Sequence, residues 1–390
     1  MFKTCTKESF VKKTPLEGVR VLDIASYYAA PFASTLLGDF GAEVIKIEPL
    51  EGEAMRGTAM WSVVARNKQS VTIDLRKPEG CALLKQLVAK SDVLVDNFPV
   101  KVLKERGIAY EDLSKVNPRL VHVGVSCFGQ TGPYADRPGS GTLGEGFGGL
   151  AHLMGLPDGP PMMPSFPMGD AIGAMNTVIG IMMALYWRDA APELGGTGRG
   201  QHIDATLYEP ILVAISQPVS RWKPGQSPGR TGSRVPGLAL RNVFATSDGK
   251  HVVISATTPR HLRDAILLAG GNDKTPDDQA DGLVAAWIRQ RPLREVLDGL
   301  IGKRIPVAPT NTMDMLLADP HVQARQSLLR VNDPEFGEIA VTAPSPRLSE
   351  SPGQFRHTGP RLGEHNDAVL GGLLGLDAAR RAELKARGIV

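Results

Sequence analysis

The chain has 390 residues, 42% of them hydrophobic and 22% charged, with 44 Lys and Arg against 41 Asp and Glu. That length supports one large domain with a smaller companion, and the near-balance of charge argues against wholesale disorder and against the concentrated basic face of a nucleic-acid binder. An aromatic content of 5% also argues against a stacking platform for single strands.

The opening MFKTCTKESFVKKTPLEG is polar and basic with no apolar core, so it does not read as a secretory signal. Cys5, Cys81 and Cys127 lie far apart and make neither a disulfide framework nor a metal knuckle, and the eight histidines show no metal-ligand spacing. The expectation is a cytoplasmic enzyme without a metal and without a membrane span.

The first 130 residues alternate strand and helix signals. Strand-like runs fall at Val19–Ala25, Glu43–Glu48, Ser70–Leu75, Asp92–Phe98 and Arg119–Gly129. Helical runs fall at Ala29–Ala42 and, after Pro78 and Glu79, over CALLKQLVAK. Such alternation predicts right-handed crossovers and a mostly parallel, doubly wound α/β sheet.

Forty-three glycines and 30 prolines follow no collagen or linker period, so they mark turns and close backbone contacts. They are densest from Gly129 to Gly169, too dense for a continuous helix, with room for one short helix near Leu143–Met154. A loop of that length inside a domain is expected to wrap a cleft. Asp170 then opens AIGAMNTVIGIMMALYWRD, whose apolar stretch from Ala171 to Trp187 is read as a buried helix.

Further on, Arg221–Gly237 reads as an exposed linker, and a DG turn between strand-like segments opens a smaller mixed α/β domain. The expected layout is a large domain over 1–220 completed by a returning 333–390, a linker at 221–236, and a small domain over 237–332.

No short motif settles the chemistry. The first strand ends in DIASYYAAP, without the GxGxxG of a dinucleotide site, and there is no GxxxxGKS/T, HExxH or GxSxG. Asp170 is the best local candidate: either a simple helix cap or a carboxylate nucleophile at the lip of a cleft. Asp23, Asp96, Asn97 and Arg76 stand at carboxyl ends of strands, where open sheets bind ligands, and Arg76 and Lys46 are candidate phosphate partners.

Several ordered blocks carry a more specific signal: PLEGVRVLDIASYYAAPFASTLLGDFGAEVIKIEP, ARNKQSVTIDLRKPEG, SDVLVDNF, LMGLPDGPP, the Gly169–Asp170 pair, TGRGQHIDATLYE and ALRNVFATSDGKHVVISATTP. From Pro15 onward the chain resembles the family III CoA-transferases (the CaiB/BaiF group). The resemblance implies a Rossmann-like large domain and a small domain in an interlocked homodimer. It also implies acyl-CoA and a carboxylic acid as substrates, with no permanently bound cofactor. It assigns Asp170 the role of nucleophile, passing through an aspartyl anhydride and an aspartyl-CoA thioester. Tyr28, Ala29, Ile73, Arg76, Asn97 and Phe98 match positions that bind CoA, and Glu145 and Ser140 are candidates for orienting a substrate; Glu145 equally reads as a helix cap.

Departures are visible too. Tyr28 stands where formyl-CoA transferase has a glutamine, and Gly141 replaces an acidic residue. The racemase branch takes a base from a GHD segment, but here the stretch is Pro138-Gly139-Ser140-Gly141, without histidine. Proton exchange at an α-carbon needs a base on each face, so transferase is favoured over racemase, and the retained Asp170 favours it over a non-catalytic CoA-binding homologue. Arg137, Arg234 and Lys250 are candidate partners for a second carboxylate of a dicarboxylic acid.

Overall fold

Six short runs, each with at least one Val, Ile or Leu, pair into one parallel sheet. In the computed structural model, which describes residues 14–390, they are β1 (Arg20–Asp23), β2 (Glu43–Glu48), β3 (Lys68–Thr72), β4 (Val93–Asp96), β5 (Val121–Ser126) and β6 (His202–Thr206). Cys5 and the polar opening before residue 14 lie outside the described residues. The strands lie in the order β3-β2-β1-β4-β5-β6, every pair parallel. The order reverses between β1 and β4, so a crevice opens at their carboxyl ends.

Both faces of the sheet are buried. Leu22, Ile45 and Leu94 enter one core, and their neighbours Val21, Val44 and Val93 enter the other. Successive strand residues point to opposite faces, so unbroken apolar runs are what a doubly covered sheet requires. The helices Ala29–Asp39 and Pro78–Val88 supply the cover, the second opening on Pro78, where a missing N–H costs nothing.

The apolar helix runs Met168–Asp189, starting two residues before Asp170. By length and composition it is long enough to cross a membrane. One stripe, including Ala174, Thr177, Ile181 and Leu185, is buried in the fold. The expected fully buried helix is thus only half buried: Met175, Ile179, Met183, Tyr186 and Trp187 face outward, each at least 50% exposed.

The chain divides into two units. One takes the described residues up to Leu150, Met163–Val219 and Ser327–Val390; the other takes Ala151–Met162 and Ser220–Gln326. Within the second, β7 (Leu240–Ala245), β8 (His251–Ala256) and β9 (Val307–Pro309) form an antiparallel sheet packed on three helices through Ile254, Ile266, Val284 and Val296. The stretch 221–236 is not a free linker. Gly232 donates to the Gly155 carbonyl at 3.0 Å and Arg230 bonds the carbonyls of His152 and Leu156, which draws 151–162 into the same unit.

The first unit resumes at Ser327, earlier than expected. The next two strands, β10 (Leu328–Asp333) and β11 (Gly337–Thr342), form a hairpin, and only β11 has an alternating pattern clear enough to read. The tail then closes on the edge of the parallel sheet. His365 donates to the Ser70 carbonyl, Thr72 donates to Asn366 Oδ1, and Asp74 donates to the Ile389 carbonyl at 2.8 Å.

A buried charge cluster fixes the centre of the sheet. Asp23 takes Lys68 Nζ at 2.6 Å and the Ser34 hydroxyl at 2.7 Å, with Lys46 Nζ at 3.4 Å, all almost fully buried. Burial alone would raise the Asp23 carboxyl, but the two ammonium groups and the hydroxyl outweigh it and hold it below its ordinary value. Burial lowers Lys68 to about 8, against the pull of Asp23. Asp23→Asn would leave two buried ammonium groups without a counter-charge. It is expected to cost about 3–5 kcal/mol, read as a lower urea midpoint with an unchanged slope.

Candidate active site

A cavity of about 770 Å³ opens at the crevice between β1 and β4. The turn after β1 gives it Ser26, Tyr28 and Ala29; the turn after β4 gives Asn97 and Phe98; the glycine-rich loop gives Arg137 and Ser140; and Asp170 lies in its wall. A smaller cavity, about 190 Å³, shares Ser26 and Phe98 with it and is lined further by Ile73, Arg76 and Arg106. Together they bring Tyr28, Ala29, Ile73, Arg76, Asn97, Phe98, Ser140 and Asp170 to one region. Sequence distance hid this, but the sheet order makes it a necessity.

The turn after β1 is held in an unusual shape. Tyr27 has φ 68°, a left-handed conformation that costs a bulky side chain energy. Three contacts fix it: Tyr27 N–H donates to Glu53 Oε1 at 2.7 Å, Ser26 N–H to Asn97 Oδ1 at 3.0 Å, and Asn97 Nδ2 to the Ser26 carbonyl at 2.8 Å. Asn97 therefore clasps one wall of the cavity to the other.

Asp170 sits in the first turn of the Met168–Asp189 helix, where backbone N–H groups are unpaired and a negative charge is favoured. The N-cap residue of this helix, Pro167, makes no side-chain cap to it. The Asp170 carboxylate instead lies against the backbone of Gly141, whose N–H and Asp170's own N–H favour its ionised form. A Cβ on Gly141 would lie 2.0 Å from Asp170 Oδ2 and 2.5 Å from its backbone nitrogen, so only glycine allows that approach. Burial, then the charge of Glu145, raise the Asp170 carboxyl above its ordinary value; the two N–H groups oppose this. Tyr28 is raised as well, by burial and then by the charge of Asp170. Cys127 shows the same pattern, burial first, with Asp170 again adding to the rise.

Several expectations need correction. Lys46 is 1% exposed and bonded to Asp23 and the Ala25 carbonyl, so it cannot meet a phosphate. Asp23 and Asp96 are buried as well; Asp96 Oδ2 pairs with His122 Nε2 at 2.6 Å. Arg76 does line the smaller cavity but bonds Asp74 at 2.7 Å and Glu51 at 3.0 Å. Glu145 lies 1% exposed, outside the lining, with Oε1 accepting from Gly169 N–H at 2.7 Å, so it does not face a substrate. Of the three cations considered for a second carboxylate, only Arg137 lines the cavity; Arg234 pairs with Asp281 and Lys250 with Asp248.

Sequence reading missed Lys101 and Arg106. Lys101 lines the larger cavity, and the Arg106 guanidinium lies 5.3 Å from the Phe98 ring centre at the smaller one. Both belong to the NFPVKVLKERG segment after β4, whose basic residues were the available signal.

A carboxyl whose proton is held more tightly in the folded chain than in the unfolded one costs stability once ionised. Asp170→Asn should therefore be more stable than the native chain at neutral pH. The gain should shrink as pH falls through the raised value and vanish below the ordinary aspartate range. Urea unfolding of both proteins across pH 3–8 measures it.

The sequence pattern of CoA-transferase family III matches residues 16–366. The chain is 37% identical to succinyl-CoA–D-citramalate CoA-transferase of Chloroflexus aurantiacus, covering 96% of this chain and 98% of that one. It is 32% identical to succinate–glutarate CoA-transferase of Agrobacterium fabrum, covering 92% and 96%. The crystal structure of a CaiB/BaiF family protein from Brucella suis is similar at a TM-score of 0.81, with 28% identity over 93% of this chain and 100% of that one. With a parallel α/β sheet, a crevice at its switch point and a carboxylate in the wall, the chain belongs to CoA-transferase family III and is an enzyme that transfers coenzyme A between acyl-CoA and carboxylic acids.

Proposed function

We propose that the enzyme moves CoA between two dicarboxylic acids with Asp170 as the nucleophile. The observation that carries this is Asp170 itself: a carboxylate in the cavity wall, set against the backbone of Gly141 and carrying no structural ion pair among the described residues.

An Asp170 oxygen attacks the thioester carbonyl carbon, the C–S bond breaks, and CoA leaves as the thiolate, giving an acyl-aspartyl anhydride. The thiolate then attacks the aspartyl carbonyl and releases the donor acid, leaving an aspartyl-CoA thioester. The acceptor carboxylate attacks that carbonyl and expels the thiolate again. In the last step the thiolate attacks the acceptor's acyl carbon and frees the Asp170 carboxylate. Each step exchanges one acyl bond for another, so no cofactor is consumed. The wall near Asp170 also offers backbone N–H groups from the glycine loop, suited to a developing oxyanion.

In this proposal the CoA chain runs across the two neighbouring cavities, with Ile73, Phe98 and Arg106 around its adenine end and Tyr28, Ala29 and Asn97 along its path. Lys101 and Arg106 supply cations for its phosphates, whereas Arg76 would have to release Glu51. Arg137 reads the distal carboxylate of the acid. The relatives named for succinyl-CoA support a dicarboxylic donor.

The outward stripe of Met183, Tyr186 and Trp187 supports an interlocked homodimer, and the free, buried Cys81 and Cys127 are compatible with a cytoplasmic setting.

Two outcomes test the proposal. Asp170→Ala should fold, bind CoA, and lose turnover by at least about 10⁴-fold, while the native enzyme treated with succinyl-CoA should yield a hydroxylamine-sensitive label at Asp170 by mass spectrometry. Turnover in Asp170→Ala within tenfold of native would rule the nucleophile out. Arg137→Ala should raise KM for dicarboxylic acids about ten- to a hundredfold and leave monocarboxylic acids unaffected, measured over a panel of acceptors. Equal effects on both classes would remove Arg137 from substrate recognition.

A further inference from the structure

Glu145 is a carboxylate buried to 1% exposure beside a second carboxylate, an arrangement that costs free energy unless it is held for a purpose. Its position is specific. Glu145 lies on the short helix Gly141–Phe147, and Oε1 accepts from the N–H of Gly169, 24 residues away, at 2.7 Å. Gly169 is the residue immediately before Asp170. The first residue of the same short helix, Gly141, packs its backbone against the Asp170 carboxylate, so closely that a Cβ there would lie 2.0 Å from Oδ2. One helix therefore grips Asp170 twice, through the backbone behind it and through the carboxylate in front.

The packing leaves no slack. A Cβ on Gly169 would lie 2.4 Å from the Gly141 carbonyl oxygen and 3.1 Å from Glu145 Cγ. The Met168–Asp189 helix begins with no side-chain cap, so Glu145 supplies from another helix the acceptor that its own N-terminus lacks. Glu145 does not line the cavity and touches no substrate from where it sits.

We propose that Glu145 is the positioning residue of the site: its buried carboxylate fixes Gly169 and thereby sets the place of the Asp170 nucleophile. This rests on Asp170 being that nucleophile. The groups that face Asp170 electrostatically are Glu145 from the short helix, Tyr28 from the turn after β1 and Cys127 from the end of β5. Tyr28 and Cys127 are neutral at pH 7, because both are raised. The charge of Glu145 makes Asp170 hold its proton more tightly.

Glu145→Gln and Glu145→Ala separate the two effects. Glutamine keeps an oxygen for Gly169 N–H and loses the charge; alanine loses both. With succinyl-CoA and labelled succinate as probe, Glu145→Gln should keep kcat within about fivefold of native and move the acidic limb of kcat/KM to lower pH. Glu145→Ala should lose about 10–100-fold in kcat with KM for succinyl-CoA within about twofold, the signature of a displaced nucleophile rather than lost binding.

A readout without turnover accompanies these. The stability gained at neutral pH by Asp170→Asn should be smaller in the Glu145→Gln background than in the native chain, by urea unfolding. An unchanged gain together with an unmoved acidic limb would overturn the proposal, as would native kcat in Glu145→Ala. If Glu145→Ala fails to fold, Glu145→Gln and the stability cycle decide between the same two outcomes. Failure of the nucleophile assignment shows itself differently, as turnover surviving in Asp170→Ala.

Discussion

Around Asp170 two stretches of backbone come so close that no side chain fits between them. Gly141 approaches the carboxylate of Asp170, and Gly169 approaches the carbonyl of Gly141, each to a distance that a single added methyl would forbid. Backbone N–H groups can then reach the carboxylate directly, in a wall where burial strengthens each bond and desolvates the charge. The rest of the site follows from that approach. The glycine-rich loop must turn back against the start of the long helix. The short helix carrying Glu145 must end at Gly148 for the chain to turn into the next one. The burial that shapes this corner also makes the Asp170 carboxyl harder to ionise.

The approach would be useless without a fixed opposite wall, and the buried charges supply it. Asp23 ends β1 with its carboxylate locked by Lys68, Lys46 and Ser34, and Lys46 in turn bonds the Ala25 carbonyl. The turn that follows is therefore anchored from below, while Asn97 and Glu53 hold it from the sides. A left-handed Tyr27 is tolerable because these partners are all in place. Strand order does the rest, since only at the reversal between β1 and β4 can turns from both strands border the same space.

Most of this architecture was legible in the sequence, for reasons specific to each part. Parallel strands buried on both faces announce themselves as apolar runs, and all five of those read before residue 130 are present. Asp170 was legible as a helix start after a glycine-rich loop. What the pattern could not show was which polar residues at strand ends face the crevice. Lys46 and Arg76 look alike on a one-dimensional reading; one is sealed beneath the turn and the other lies at the surface, bonded to Asp74 and Glu51. Glu145 misled for the same reason. Its position reads equally as orienting a substrate or as capping a helix, and only the fold reveals Gly169, at the start of the next long helix, as its partner. The stretch 221–236 looked like a linker because its glycines and prolines carry no periodicity, yet backbone bonds to Gly155 and its neighbours tie it down.

On the proposed anhydride route, the basicity of Asp170 has a chemical logic. An acyl-aspartyl anhydride has two carbonyls, and the carboxylate that departs more readily is the less basic one. In the first half of the exchange the substrate acid must leave; in the second half Asp170 must leave. A nucleophile much more acidic than its substrates would leave too soon and return the anhydride to donor acyl-CoA. One much more basic would stay attached, trapping the aspartyl-CoA thioester. Aliphatic dicarboxylic acids are weaker acids than an ordinary aspartate side chain. Raising Asp170 from its ordinary value therefore moves it toward theirs, so that one anhydride partitions usefully in both directions. Burial and the charge of Glu145 push that way, and the two N–H groups at the helix start limit how far. Under that proposed route, a second carboxylate buried behind the first is a means of matching the proposed nucleophile to the acids it would exchange.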